Sequence, residues 1–142
     1  MTDHVAVAET EIDASPDDVW SALTDSDEIE KYMFGSHVEA SWEEGGHIVW
    51  KGQYKGREFV DHGKILEIDR PRRLRMTHFS PLSGKEDLPE NYHTILYELE
   101  DEGASTRVRL SQDNNESAEA AQHSQATWQQ MLAGLKQVVE RS

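Results

Sequence analysis

The chain has 142 residues, no cysteine, 28 acidic against 14 basic side chains, a formal charge of −14 and 36% hydrophobic residues. That length suits one domain, residues 1–142, with a real core, and the missing thiols exclude disulfides, thiolate metal sites and a cysteine nucleophile. A field of this sign repels phosphate backbones and anionic membrane surfaces, so no nucleic-acid partner is expected. No apolar run reaches the roughly 18 residues of a membrane span. The start, MTDHVAVAETEID, carries no basic and apolar leader pattern, and a cytoplasmic location fits these features.

Val5 to Ile12 reads as a strand with broken parity, so a bulge or an edge position is expected. Ser15-Pro16-Asp17-Asp18 then starts a helix: Ser15 suits the N-cap, Pro16 the first turn, and the acids the positive helix end. Val19, Trp20 and Leu23 form its apolar stripe, and a polar turn at Thr24–Asp27 leads to a second short helix over Glu28–Tyr32. Tyr32-Met33-Phe34-Gly35 is an apolar corner. Strands are predicted over His37–Trp42 and His47–Lys51, joined by the turn Glu43-Glu44-Gly45-Gly46. A turn over Gly52–Gly56 precedes a long strand, Arg57–Ile68, in which Gly63 signals a bulge or sharp bend. After a tight turn at Asp69–Arg72, Arg73–Phe79 sets Leu74, Met76 and His78 against Arg73, Arg75 and Thr77. Ser80–Asn91 is a loop, Tyr92–Glu100 a sixth strand, Asp101–Ser105 a hairpin turn and Thr106–Gln112 a seventh strand. The last element is a long amphipathic helix over Glu116–Glu140, with Trp128, Met131, Leu132, Leu135, Val138 and Val139 on one stripe. Successive hairpins with helices on one face make an α+β domain of about six or seven antiparallel strands. Such a sheet, bent around one helix, does not easily fill the space between them, so a pocket is expected there.

The order and several words of this sequence resemble the START-like (SRPBCC) superfamily, the helix-grip fold. The narrower resemblance is to the branch named for the C-terminal domain of the activator of the Hsp90 ATPase. The words are ASPDDVWSALTDSDEIEKY, EEGGHIVW, GKILEIDRPRRLRMTHF, YELEDEGASTRVRLSQ and TWQQMLAGLKQVVE, covering nearly the whole chain. The sequence departs from the branch at Tyr32-Met33 and at Thr127. The resemblance implies a ligand cavity between sheet and long helix. Members of the superfamily include lipid and hormone binders, polyketide cyclases and co-chaperone-like domains, so the fold alone does not choose a function.

Seven histidines, at positions 4, 37, 47, 62, 78, 93 and 123, lack metal-ligand spacing and read as scattered strand residues. If the face of Leu74 and Met76 is interior, His78 is either hydrogen-bonded within the protein or orients a ligand. Glu58 and Glu98 lie within strands and would suit general acid–base work if they pointed inward. Paired acids at 17–18, 43–44 and 101–102 fall at helix starts and turns, where capping and solvation account for them. Trp50, Phe59, Met76, Tyr97, Trp128 and Met131 are core candidates that would also line a pocket. With Tyr32, Phe34, His78 and Leu132 they form the expected ligand-contacting set. Three readings follow: a non-enzymatic domain holding a small hydrophobic molecule (a lipid, polyphenol or polyketide-like compound); a protein-interaction module working with a chaperone, as the resemblance implies; and a cyclase or hydrolase using His78, Glu58 or Glu98. No cofactor and no metal is expected for any of them.

Overall fold

The period-two segments become strands in the computed structural model, which describes residues 4–33, 35–54, 56–81 and 84–141, and of Tyr54 the backbone alone. The strands are β1 (His4–Ile12), β2 (His37–Ala40), β3 (His47–Tyr54), β4 (Arg57–Asp69), β5 (Arg73–His78), β6 (His93–Asp101) and β7 (Thr106–Asn115). They form one antiparallel sheet in the order β1-β7-β6-β5-β4-β3-β2. Two short helices, α1 (Pro16–Leu23) and α2 (Ser26–Tyr32), follow β1, and the long helix α3 (Ala118–Glu140) closes the chain. This is the α+β helix-grip arrangement.

Local chemistry sets the helix starts. The Ser15 hydroxyl accepts from the Asp18 amide at 3.2 Å, and Ser117 caps α3 by accepting from the Ala120 amide at 3.0 Å. The second helix begins earlier than the sequence suggested, because Asp25 is its cap and accepts from the amides of Asp27 and Glu28. The seventh strand runs to Asn115, three residues past its expected end.

Two glycines decide how the sheet is built. The expected turn at Gly52 is instead the continuation of β3, with Gly52 opposite Phe59. A Cβ on Gly52 would meet the Phe59 ring at 2.8 Å, so the missing side chain is needed for packing across the strands. At Gly63 a Cβ would meet the Thr77 carbonyl oxygen at 1.8 Å, so only glycine permits β5 to approach β4 so closely. The register shift itself falls two residues on, between Ile65 and Glu67.

One face of the sheet is covered by the helices. Ala6, Ala8, Ile12, Ile48, Ile65, Leu74, Leu110 and Val108 point there, and α3 adds Met131, Leu132, Leu135 and Val139. Leu132 and Leu135 have no exposed surface; each such burial stabilises the fold by about 1.5–3 kcal/mol. The C-terminal half of α3 is pinned to β1 by polar contacts as well. The Gln129 amide donates to the Glu9 carbonyl at 2.7 Å, Lys136 to the Glu11 carbonyl at 2.8 Å, and the Asp13 amide to Glu140 at 2.8 Å. The other face is open to solvent and carries charge in cross-strand rows. Glu9, Arg109, Glu98, Arg73 and Asp69 follow one another across β1, β7, β6, β5 and β4.

Candidate functional site

Inward-facing side chains of β3, β5 and β6 meet α1, α2 and α3 over a small apolar chamber. Its walls are Leu23, Ile29, Tyr32, Met33, Val38, Trp42, Ile48, Trp50, Met76, Ile95, Tyr97 and Trp128, and it encloses about 20 Å³. That is room for about one water-sized sphere. The fold therefore leaves the expected pocket between sheet and helix, but side chains nearly fill it.

The polar atoms of this chamber are few. The Tyr32 hydroxyl donates to the Ala22 carbonyl at 2.9 Å, which fastens α2 to α1. Tyr97 is buried, and its hydroxyl has no hydrogen-bond partner among the described residues; burial pushes its pKa well above the usual phenol range. Burial raises the Tyr32 phenol too, with the nearby Tyr97 as a second cause. At the rim, the Trp128 indole N–H donates to the side-chain oxygen of Gln112, which is itself buried on β7. Trp42, expected to end the second strand, lies beyond it with φ +56°, a left-handed backbone that side chains other than glycine adopt at a cost.

Further along β5 from Met76, His78 faces the same way. Its Nε2 donates to the Asp61 carboxylate at 2.9 Å, and its ring meets Trp50 edge-on at 4.9 Å. The second Asp61 oxygen, Oδ1, is buried and has no hydrogen-bond partner among the described residues. His93, directly opposite His78 on β6, stacks with it at 6.1 Å and bonds through Nδ1 to the Asp113 carbonyl at 2.8 Å. A carbonyl only accepts, so Nδ1 carries the proton and Nε2 is the bare nitrogen of the neutral ring. Burial holds the His93 pKa below the usual imidazole value, and the neighbouring His78 adds to this against the bond to Asp113.

Of the expected contact residues, Tyr32, Trp50, Met76, Tyr97 and Trp128 line the chamber together. Met131 and Leu132 are buried in the core beneath α3 without reaching it, and Phe59 is spent on packing against Gly52. His78 lies beside the chamber, behind Trp50. Phe34 falls outside the described residues. Glu58 and Glu98 do not converge with His78: Glu58 is exposed, and Glu98 lies on the solvent face near Arg73 at 3.5 Å. The acid–base constellation considered for a cyclase or hydrolase is therefore not assembled. Sequence reasoning missed Asp61, although Phe59, Asp61 and Ile65 alternate along β4 and so share a face. It also missed Trp42, Ile95 and Gln112.

Larger concavities are open grooves elsewhere. One, of about 880 Å³, lies on the solvent face and is lined by Arg70, Arg72, Arg73, Glu98, Arg107 and Arg109 among others. Several of its charges are paired, with Arg73 near Glu67 and Glu98 and Arg107 near Glu102. No group of His, Asp or Glu among the described residues could hold a metal ion. No helix among them is long and apolar enough to cross a membrane.

Comparison with known proteins agrees with this geometry. No curated protein matches the chain. Among solved structures, the solution structure of ChR145 from Cytophaga hutchinsonii is similar over 96% of this chain and 94% of that one, with 44% identity and a TM-score of 0.84. The Aha1 dimer from Colwellia psychrerythraea is similar over 99% and 97% of the two chains, with 22% identity and a TM-score of 0.75. CalU16 from Micromonospora echinospora is similar over 98% and 87%, with 22% identity and a TM-score of 0.71. The last two speak to the fold alone. The family model of the "Activator of Hsp90 ATPase homolog 1-like protein" matches residues 13–140. The chain belongs to this family of START-like domains, those similar to the activator of Hsp90 ATPase homolog 1.

Proposed function

We propose that this domain binds a small hydrophobic molecule between the sheet and α3, admitted where Met33, Trp42 and Trp128 meet. The observation that carries the reading is the chamber itself: Trp50, Met76 and Tyr97 from three strands and Tyr32 and Trp128 from two helices surround a space that they nearly but not wholly fill. A second support is Trp42, whose strained backbone lies at the rim; such strain collects at binding sites. At about 20 Å³ the chamber is far below the several hundred Å³ of a typical ligand site. Binding therefore requires the three rim side chains to swing outward.

The test is a thermal-shift screen with fatty acids, sterols, flavonoid-like polyphenols and polyketide-like aromatics. A true ligand at 100 times its dissociation constant adds roughly 2.7 kcal/mol of stability, and the shift saturates. A second reading rests on the description of the family model and on the charge of −14: an interaction module acting on a chaperone. A flat screen, together with stimulation of an Hsp90 ATPase by the purified chain, would replace the first reading with this one.

A further inference from the structure

The proposed chamber ends at Trp50, and behind Trp50 stands a polar group that the hydrophobic reading does not use. The Trp50 ring touches His78 edge-on at 4.9 Å, and His78 donates through Nε2 to Asp61. Asp61 Oδ1 is a buried acceptor to which no described residue donates. His93 gives its one proton to the Asp113 carbonyl, which leaves its Nε2 as a second acceptor, on a ring stacked against His78. Burial lowers the proton affinity of His93 and favours the neutral form that has this acceptor. A buried acceptor without a donor, such as Asp61 Oδ1, is rare in folded proteins and needs an explanation.

We propose that Asp61, held by His78 and flanked by His93, is the station at which the bound molecule is recognised by a hydroxyl group. The inference rests on the hydrophobic-ligand reading and deepens it: the ligand is an aromatic alcohol or phenol, not a plain hydrocarbon or a fatty tail. The ring lies against Trp50, and its O–H donates to Asp61 Oδ1. A hydroxyl fits better than an ammonium group, because the way in passes between Met33, Trp42 and Trp128, where a full charge would be desolvated at much greater cost. Asp61 and His78 side chains are 13% and 22% exposed, so the same opening of the rim that admits the ring gives access to them.

The experiment compares 2-naphthol with 2-methoxynaphthalene, which has the same rings and oxygen but no hydrogen to donate. Affinities come from amide shifts in two-dimensional ¹H–¹⁵N NMR of the full chain. The expected result is that 2-naphthol binds roughly tenfold tighter or more, as a hydrogen bond to a charged acceptor provides. Asp61→Leu should lose that preference while keeping its affinity for 2-methoxynaphthalene. Equal binding of both probes to the native chain overturns the inference and leaves the hydrophobic-ligand reading standing. Binding of neither probe removes that reading and the inference with it. A preference that persists in a folded Asp61→Leu chain also overturns it. Should this variant fail to fold, the ring ¹⁵N resonances of His78 and His93 in the native chain decide: they move with 2-naphthol alone if the assignment is right, and stay still or respond equally to both probes if it is wrong.

Discussion

The two faces of one sheet treat polar groups in opposite ways. On the solvent face, carboxylates and guanidinium groups alternate across the strands, and Arg73, Arg75 and Arg107 each have an acidic neighbour within 4 Å. These pairs contribute little to stability, because exposed ion pairs are screened. On the helix-covered face polar atoms are scarce, and one of them, Asp61 Oδ1, is buried with no hydrogen-bond partner among the described residues. The crowded face is rich in ion pairs, and the nearly empty face holds the unmatched acceptor on which the proposed recognition rests. Counting polar residues would point to the opposite side of the sheet.

The sharpest way to break the comparison is to remove one side chain from each face. Leu132→Ala deletes a fully buried side chain beneath α3 and should cost about 2–5 kcal/mol. Arg73→Ala removes a group 43% exposed with two acidic neighbours and should cost no more than about 1 kcal/mol. Urea denaturation of both variants reads the difference; equal losses would mean that the charge rows hold the fold as firmly as the core. A finer division lies at the rim. Trp42→Ala and Trp42→Gly both remove the indole, but glycine takes φ +56° freely. The glycine variant should be the more stable of the two by about 1 kcal/mol. No difference between them would show that the Trp42 backbone is not strained in solution.

Much of the fold was legible from the chain because side-chain period decides it. Leu74, Met76 and His78 against Arg73 and Arg75 gave both faces of β5, and the stripe from Trp128 to Val139 gave the buried side of α3. What was not legible depended on contacts between distant residues. Gly52 carries the usual mark of a turn, and only its pairing with Phe59 across the sheet makes it part of a strand. Tyr32, Trp50 and Tyr97 could be assigned to a pocket from their strands and helix, but how far they fill it depends on rotamers and on Trp42, which the strand pattern misplaced. Asp61 was hidden because its parity passes through Gly63, where β4 bends toward β5, and because its significance lies in a partner, His78, on the neighbouring strand.

The smallest expected effect concerns acid. On the open face, carboxylates sit near cations, whereas on the covered face the half-buried His93 has its pKa held below the ordinary 6.5, chiefly by desolvation. The unfolded chain therefore takes up a proton at His93 at a higher pH than the folded chain does. The unfolded state binds more protons in that interval, so stability rises with pH there. The contribution is fully present above 6.5 and is lost as pH falls from that value through the depressed folded pKa. His93→Gln keeps a hydrogen-bond donor for the Asp113 carbonyl and cannot titrate. Its melting temperature should fall less than that of the native chain between pH 7.5 and about 5.5, with both chains close together at the upper end. Parallel melting curves across this range would place the acid sensitivity of the fold elsewhere, and would mean that the covered face tolerates a charge at the position where His93 stacks on His78.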